Sequence, residues 1–318
     1  MPTQQSDDGL HEMIASPVVR DKQALLLSKI NFGSVARQYR LRYGVNVYAH
    51  LESPAPQVAG LYRCSATGYE FFHPPRLAGQ STFYEELQRS PWYYVPWKWE
   101  HEIAKSYLRD GDQVLEVGCG VGFFLKRVSE DLRVSCTGLE FNAKARATGL
   151  FSNIRGDSIQ VYAAHNPERA DMVCTFQVLE HVYDVGEFLY ACCAALAPGG
   201  LLVVSVPNND SNIQHDKRNV LNMPPHHMGL WRAGSLASLV NHFPLTLEGI
   251  LTEPLSDSSL PWHTTLRHAK SIGYLPALAL AKLRYFGVRK RFDSETARRR
   301  LITPDHTIAC VFRKTGRQ

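Results

Sequence analysis

Between Asp112 and Asn142 the chain reads DQVLEVGCGVGFFLKRVSEDLRVSCTGLEFN: an apolar run, three glycines at alternate positions, a helix-length stretch, a second apolar run and an acid. Gln113 to Val117 predicts a buried parallel strand, after which Gly118, Gly120 and Gly122 let the backbone turn sharply and pass close to a ligand with no Cβ in the way. Phe123 to Glu130 predicts the following helix and Val134 to Leu139 the next strand. Glu140 stands at the carboxyl end of that strand, where an acid reaches a ribose, because a carboxylate can accept from both hydroxyls. The stretch is half of a nucleotide-cofactor site.

Dinucleotide sites use G-x-G-x-x-G to seat a pyrophosphate on a helix amino terminus, whereas this pattern is Glu116-x-Gly118-x-Gly120-x-Gly122. Downstream, Asp171 to Phe176 predicts a third apolar strand. Gln177 and Leu179-Glu180-His181-Val182 follow, then a helix ending in Ala197-Pro198-Gly199-Gly200, the strand Leu201 to Val206, and Pro207-Asn208. Together these residues resemble the class I S-adenosylmethionine-dependent methyltransferases. They are most similar to the subgroup with an LEHV run that includes the ubiquinone-pathway O-methyltransferases and many glycan and natural-product methyltransferases. The resemblance covers about residues 91 to 318, is strongest from 112 to 208, and implies an α/β fold: a Rossmann-like seven-stranded sheet with helices on both faces.

With 318 residues and 44% hydrophobic content the chain can bury one full core plus appendages. Its seven cysteines show no paired spacing and fall mostly within apolar segments, which predicts reduced, buried thiols. No apolar run approaches the roughly 20 residues that span a bilayer, and no charged start leads into an apolar leader, so a cytoplasmic protein is expected. Charge is uneven. Residues 262 to 318 hold 13 Lys or Arg against 3 Asp or Glu, a local excess of 10, while the whole chain carries +5. The excess centres on Arg284 to Arg300, just after the apolar stretch Ile272 to Leu283. A solvated face and contact of residues 262–300 with an anionic surface such as the inner face of the membrane both fit it. Nucleic acid is not expected, since no aromatic RNA-binding motif interleaves the charges.

The remaining segments fill in the organisation. Residues 1–90 are expected as an amino-terminal extension, with a helix around Lys22 to Arg42 and strands and turns over 45 to 80. Tyr62 to Phe72 resembles a C-x-x-C-G zinc-ribbon turn in which the second cysteine is Thr67. Cys64 alone cannot build a four-coordinate site, so a metal-free hairpin is expected. Trp92 to Leu108 predicts a helix leading into the methyltransferase domain, 91–318. After Pro207 a loop runs through Pro224-Pro225-His226-His227 to Trp231. Ser235 to Phe243 predicts a helix, Pro244 to Ile250 the sixth strand, and His306 to Arg313 a last strand, antiparallel beside the sixth. Residues 254–304 would be an insertion before it.

Carried onto this sequence, the resemblance implies that Glu116, Gly118, Gly120 and Gly122 line the methionine part of S-adenosyl-L-methionine. Glu140 would hold the ribose, Phe141 and Asn142 would flank the adenine, and Asp157 and Ser158 would meet the adenine amine. Gln177 and Val178 would face the sulfonium side, and Tyr93, Tyr94, Trp97 and Trp99, with Lys98 and Glu100, would close over the cofactor. For a hydroxyl acceptor a proton must leave, and a neutral imidazole suits that task at pH 7, so Glu180, His181, His226 and His227 are the catalytic candidates. Related enzymes with E-x-x-E-H and a distant His bind a divalent metal; the first acid is Gln177 here, so no metal is expected. The acceptor expected is a small molecule or glycan intermediate methylated on oxygen. A non-catalytic cofactor-binding or scaffold protein is the alternative, with a nicotinamide-dependent dehydrogenase third.

Overall fold

The computed structural model describes residues 11–89, 95–211, 219–255 and 304–316; the basic segment 262–300, Tyr93 and Tyr94 lie outside them. The amino-terminal region is a meander of β1 (Met13–Ala15), β2 (Gln23–Asn31), β3 (Val58–Cys64) and β4 (Glu70–His73), each antiparallel to the next. The helix expected over Lys22 to Arg42 is split. Residues 23–31 pair with β3 instead, and only α1 (Phe32–Tyr43) is helical. Asn31 marks the change: its Oδ1 accepts from Ser34 N–H at 2.9 Å, a local cap that starts the helix. Phe32, Val35, Ala36 and Tyr39, one stripe at helical spacing, are buried. The Tyr62 to Phe72 hairpin is present, with Thr67 accepting from Tyr69 N–H and Cys64 buried. A short α2 (Ser81–Leu87) follows.

The second sheet contains the strands predicted from residues 113, 134, 171, 201, 244 and 306 and adds a two-residue strand at 154–155. β5 (Gln113–Val117), β6 (Ser135–Leu139), β7 (Ile154–Arg155), β8 (Ala170–Phe176) and β9 (Leu196–Pro207) are parallel neighbours in the order 7-6-5-8-9. The connecting helices are α4 (Phe123–Asp131), α5 (Ala143–Ala147), α6 (Ile159–His165) and α7 (Val185–Ala195), preceded by α3 (Trp99–Tyr107), which begins later than the expected Trp92. A two-residue β10 (Gly229–Leu230) and a short α8 (Ala233–Ala237) come before β11 (Leu245–Pro254) and β12 (Pro304–Lys314). The helix expected over Ser235 to Phe243 is only that α8 and one turn of tighter helix. β12 enters antiparallel between β9 and β11, completing seven strands. Val173, Leu202, Val204 and Phe312 are fully buried, as continuous apolar strands covered on both faces require. Among the described residues no helix is long and apolar enough to cross a membrane.

The loop after β9 ties the two sheets together. β10 pairs antiparallel with β4, so the segment after β9 becomes the fifth strand of the amino-terminal sheet. Trp231, fully buried, packs at 4.1 Å between ring centroids on Tyr69, and one continuous core runs from Tyr62, Tyr69 and Phe71 through Trp231 to Leu202 and Phe312.

Candidate active site

The glycine turn leaves β5 with three alternate positions in the left-handed region: φ is 75° at Gly118, 56° at Gly120 and 82° at Gly122. Side-chain residues seldom hold such values. Gly118 also needs to be small, because a Cβ there would stand 2.4 Å from Val178 Cγ2 on the loop after β8. Glu140, at the end of β6, braces the turn: its Oε2 accepts from Gly120 N–H at 2.9 Å and its Oε1 from Asn142 N–H at 2.7 Å. Phe141 is 70% exposed beside it. Asn142 is committed elsewhere, its Oδ1 capping α5 and its Nδ2 donating to Gln88 Oε1 of the turn after α2. Ser158 likewise caps α6 by accepting from Val161 N–H, with Asp157 half-buried before it.

Glu116 ends inside the protein. It is 4% exposed, its Oε2 has no hydrogen-bond partner, and burial pushes its carboxyl up to about 8, with the Lys98 ammonium pulling the other way. A buried carboxylate oxygen left without a donor marks a place for a cationic or donor-bearing ligand. The glycine cradle and this orphan oxygen fit the amino-acid end of S-adenosylmethionine.

Across the same edge, the loop after β8 and the loop after β9 bring three histidines together. Ring centroids are 4.7 Å apart for His181 and His226, 5.0 Å for His181 and His227, and 4.5 Å for His226 and His227. Each ring uses Nδ1 on a carbonyl oxygen: His181 on His226 O at 2.5 Å, His226 on Leu221 O at 3.0 Å, His227 on Asn222 Oδ1 at 3.1 Å. A carbonyl only accepts, so Nδ1 carries the hydrogen in each ring and Nε2 is the lone pair. Burial keeps them neutral, pushing His181 down to about 4, His226 to about 3 and His227 well below its ordinary value. Nitrogen atoms of the three lie within 4.8 Å of one another, a cluster that could hold a metal ion where the sequence argument expected none. Glu180 is buried beside them with Oε2 unpartnered, and burial raises it to about 8; its Oε1 is 3.8 Å from His181 Nε2. The four catalytic candidates are therefore one group.

The amino-terminal region supplies a neighbour that the sequence reading missed. The Tyr84 ring lies 5.4 Å from that of His181, and its hydroxyl donates to His226 O at 3.4 Å. Tyr39 donates to Val220 O at 2.8 Å. Nothing in the run STFYEEL distinguishes Tyr84 from an ordinary core aromatic. Gln177, in the left-handed region at φ 56°, donates through Nε2 to Glu100 Oε1 at 3.3 Å. A cavity of about 160 Å³ lined by Gln113, Ser135, Tyr162, Asn166 and Arg169 lies at the opposite, amino-terminal edge of the strands, where open α/β sheets do not bind their ligands.

The profile of a family described as a methyltransferase domain matches residues 92–248. The chain is similar to the ubiquinone biosynthesis O-methyltransferase of Klebsiella pneumoniae, 33% identical over 108 residues, which are 31% of this chain and 44% of that one. Its likeness to the enzyme of the same name from Caulobacter sp. (strain K31) is 36% over 107 residues, 31% of this chain and 42% of that one. The chain thus spans under half the length of these relatives. A solved structure of a SAM-dependent methyltransferase from Archaeoglobus fulgidus overlays with a TM-score of 0.45 at 16% identity, covering 67% of this chain and 94% of that one.

Proposed function

Because a methyltransferase-domain profile matches residues 92–248 and the seven-stranded sheet carries that match on to Lys314, we propose that the chain moves a methyl group from S-adenosylmethionine to a hydroxyl oxygen of a small molecule or glycan intermediate in the cytoplasm. One observation carries the cofactor half of this reading: the glycine turn braced by Glu140 beside the orphan Oε2 of Glu116. The cofactor supplies a methyl already activated on a cationic sulfur, so the protein's work is alignment and proton removal. Glu116 and the turn would hold the amino-acid end, Glu140 the ribose diol, and Phe141 the adenine face. On the acceptor side His181 offers a neutral imidazole whose tautomer is set by the His226 carbonyl, leaving Nε2 to take the hydroxyl proton.

A second reading of the acceptor side is favoured by the closeness of the three rings, whose nitrogen atoms lie within 4.8 Å of one another. If all three Nε2 atoms bind one divalent ion, it would lower the acceptor hydroxyl's pKa in place of an imidazole base.

The test is binding. Calorimetry on the full chain is expected to show S-adenosylmethionine and S-adenosylhomocysteine binding with no competition from NAD. Glu140→Ala should weaken both by about 30- to 150-fold, roughly 2 to 3 kcal/mol for two charge-assisted hydrogen bonds. Unchanged affinity in that variant would remove Glu140 from the site.

A further inference from the structure

Glu100 is a buried carboxylate at the carboxyl edge that neither the glycine turn nor the histidine cluster uses. It is 3% exposed in the first turn of α3, held there by the ring stack on its neighbours: His101 lies 4.9 Å from Phe176 and 5.4 Å from Phe124, and Trp97 5.1 Å from His101. Its partner is held as well. Gln177 keeps a strained φ, its N–H donates to Ser205 O at 2.9 Å, and its amide is thereby aimed at Glu100 Oε1.

Two further carboxyls and a histidine face Glu100. Glu180 from the loop after β8, Glu253 from the end of β11, and His306, the partner of Asp305 at the start of β12, lie within its electrostatic reach, and Lys98 faces Glu116 and Glu180. Buried acidic groups gathered in this way hold their protons unless a cation joins them. Gln177 is where the resemblance puts the sulfonium side, so the carboxylate on its amide stands next to the one position in the reaction that is charged before transfer and neutral after it.

Resting on the cofactor reading above, we propose that Glu100 senses the sulfonium charge and discriminates S-adenosylmethionine from S-adenosylhomocysteine, so that loss of the methyl group itself loosens the hold on the product. Nothing in this role requires contact with the acceptor.

The experiment is calorimetry of the full-length protein with S-adenosylmethionine, S-adenosylhomocysteine and the amine analogue sinefungin, for wild type, Glu100→Gln and Glu100→Asp. Glu100→Gln, near-isosteric and uncharged, is expected to lose about tenfold affinity for the two cationic ligands and less than about threefold for S-adenosylhomocysteine. Glu100→Asp, which keeps the charge, should retain most of the preference. Equal losses for all three ligands in Glu100→Gln, a preserved ratio, or a Glu100→Asp variant as impaired as Glu100→Gln would each overturn the proposal. Wild type that binds none of the three would overturn the cofactor reading instead, which separates the two failures.

Discussion

At the scale of residues, the histidine cluster is decided by hydrogen bonds that no sequence displays. His181 is a base candidate because His226 O takes its Nδ1–H, and burial keeps it neutral, near 4. His181→Ala is expected to leave cofactor affinity intact while lowering turnover roughly 100- to 10,000-fold, the usual contribution of a positioned base. Measured with a catechol probe acceptor, that loss should persist in EDTA if imidazole is the base. If a metal serves, EDTA should abolish wild-type activity and zinc or magnesium restore it, with the His226, His227 double Ala variant as impaired as His181→Ala. His165, at the end of α6 with Nδ1 on Val161 O, is the control. Full activity in both variants with EDTA present would refute either role.

At the scale of elements, the turn between β5 and α4 stores two separable constraints. Gly118 holds φ at 75°, and Val178 occupies the space where a Cβ would stand. Gly118→Ala should destabilise the protein by roughly 1 to 3 kcal/mol from the backbone alone, and more from the overlap. Pairing it with Val178→Ala should recover the overlap part and not the backbone part. Denaturant midpoints read the difference, and a double variant as stable as wild type would mean that the backbone is not strained there.

The whole molecule should respond to pH through groups at the carboxyl edge. Glu116 and Glu180 stay protonated to about 8 when folded, against an ordinary 4.5, so their contribution to stability is full at low pH and is lost as pH rises through 8. His181, His226 and His227 do the opposite. Their folded values lie below the ordinary 6.5, so their contribution is present above it and lost as pH falls toward 4 and 3. Three imidazoles set against two carboxyls balance near pH 6 or so. Thermal melts from pH 4.5 to 9 are therefore expected to peak there without ligand and to shift alkaline with S-adenosylmethionine, which favours ionised Glu116. A melting temperature that climbs steadily to pH 9 without ligand would contradict the burial of these groups.

The backbone shape of the turn after β5 was legible from local order alone. Apolar runs of strand length, glycines at alternate positions and an acid after the second run leave one way for a chain to turn, because conformational freedom at Gly118, Gly120 and Gly122 is a property of those residues themselves. The split between β2 and α1 was not legible, since residues 23–31 become a strand only when β3 is there to pair with them. The acceptor side was decided by tertiary structure. Pro224 to His227 identify a stiff loop with imidazoles, but which nitrogen each ring presents depends on Leu221 O, Asn222 Oδ1 and His226 O, and the loop's place depends on β10 joining β4 and on Tyr39 and Tyr84 reaching its carbonyls from more than 140 positions away in the chain. Local sequence sets which backbone shapes are possible; contacts between distant segments decide which lone pairs face the reaction.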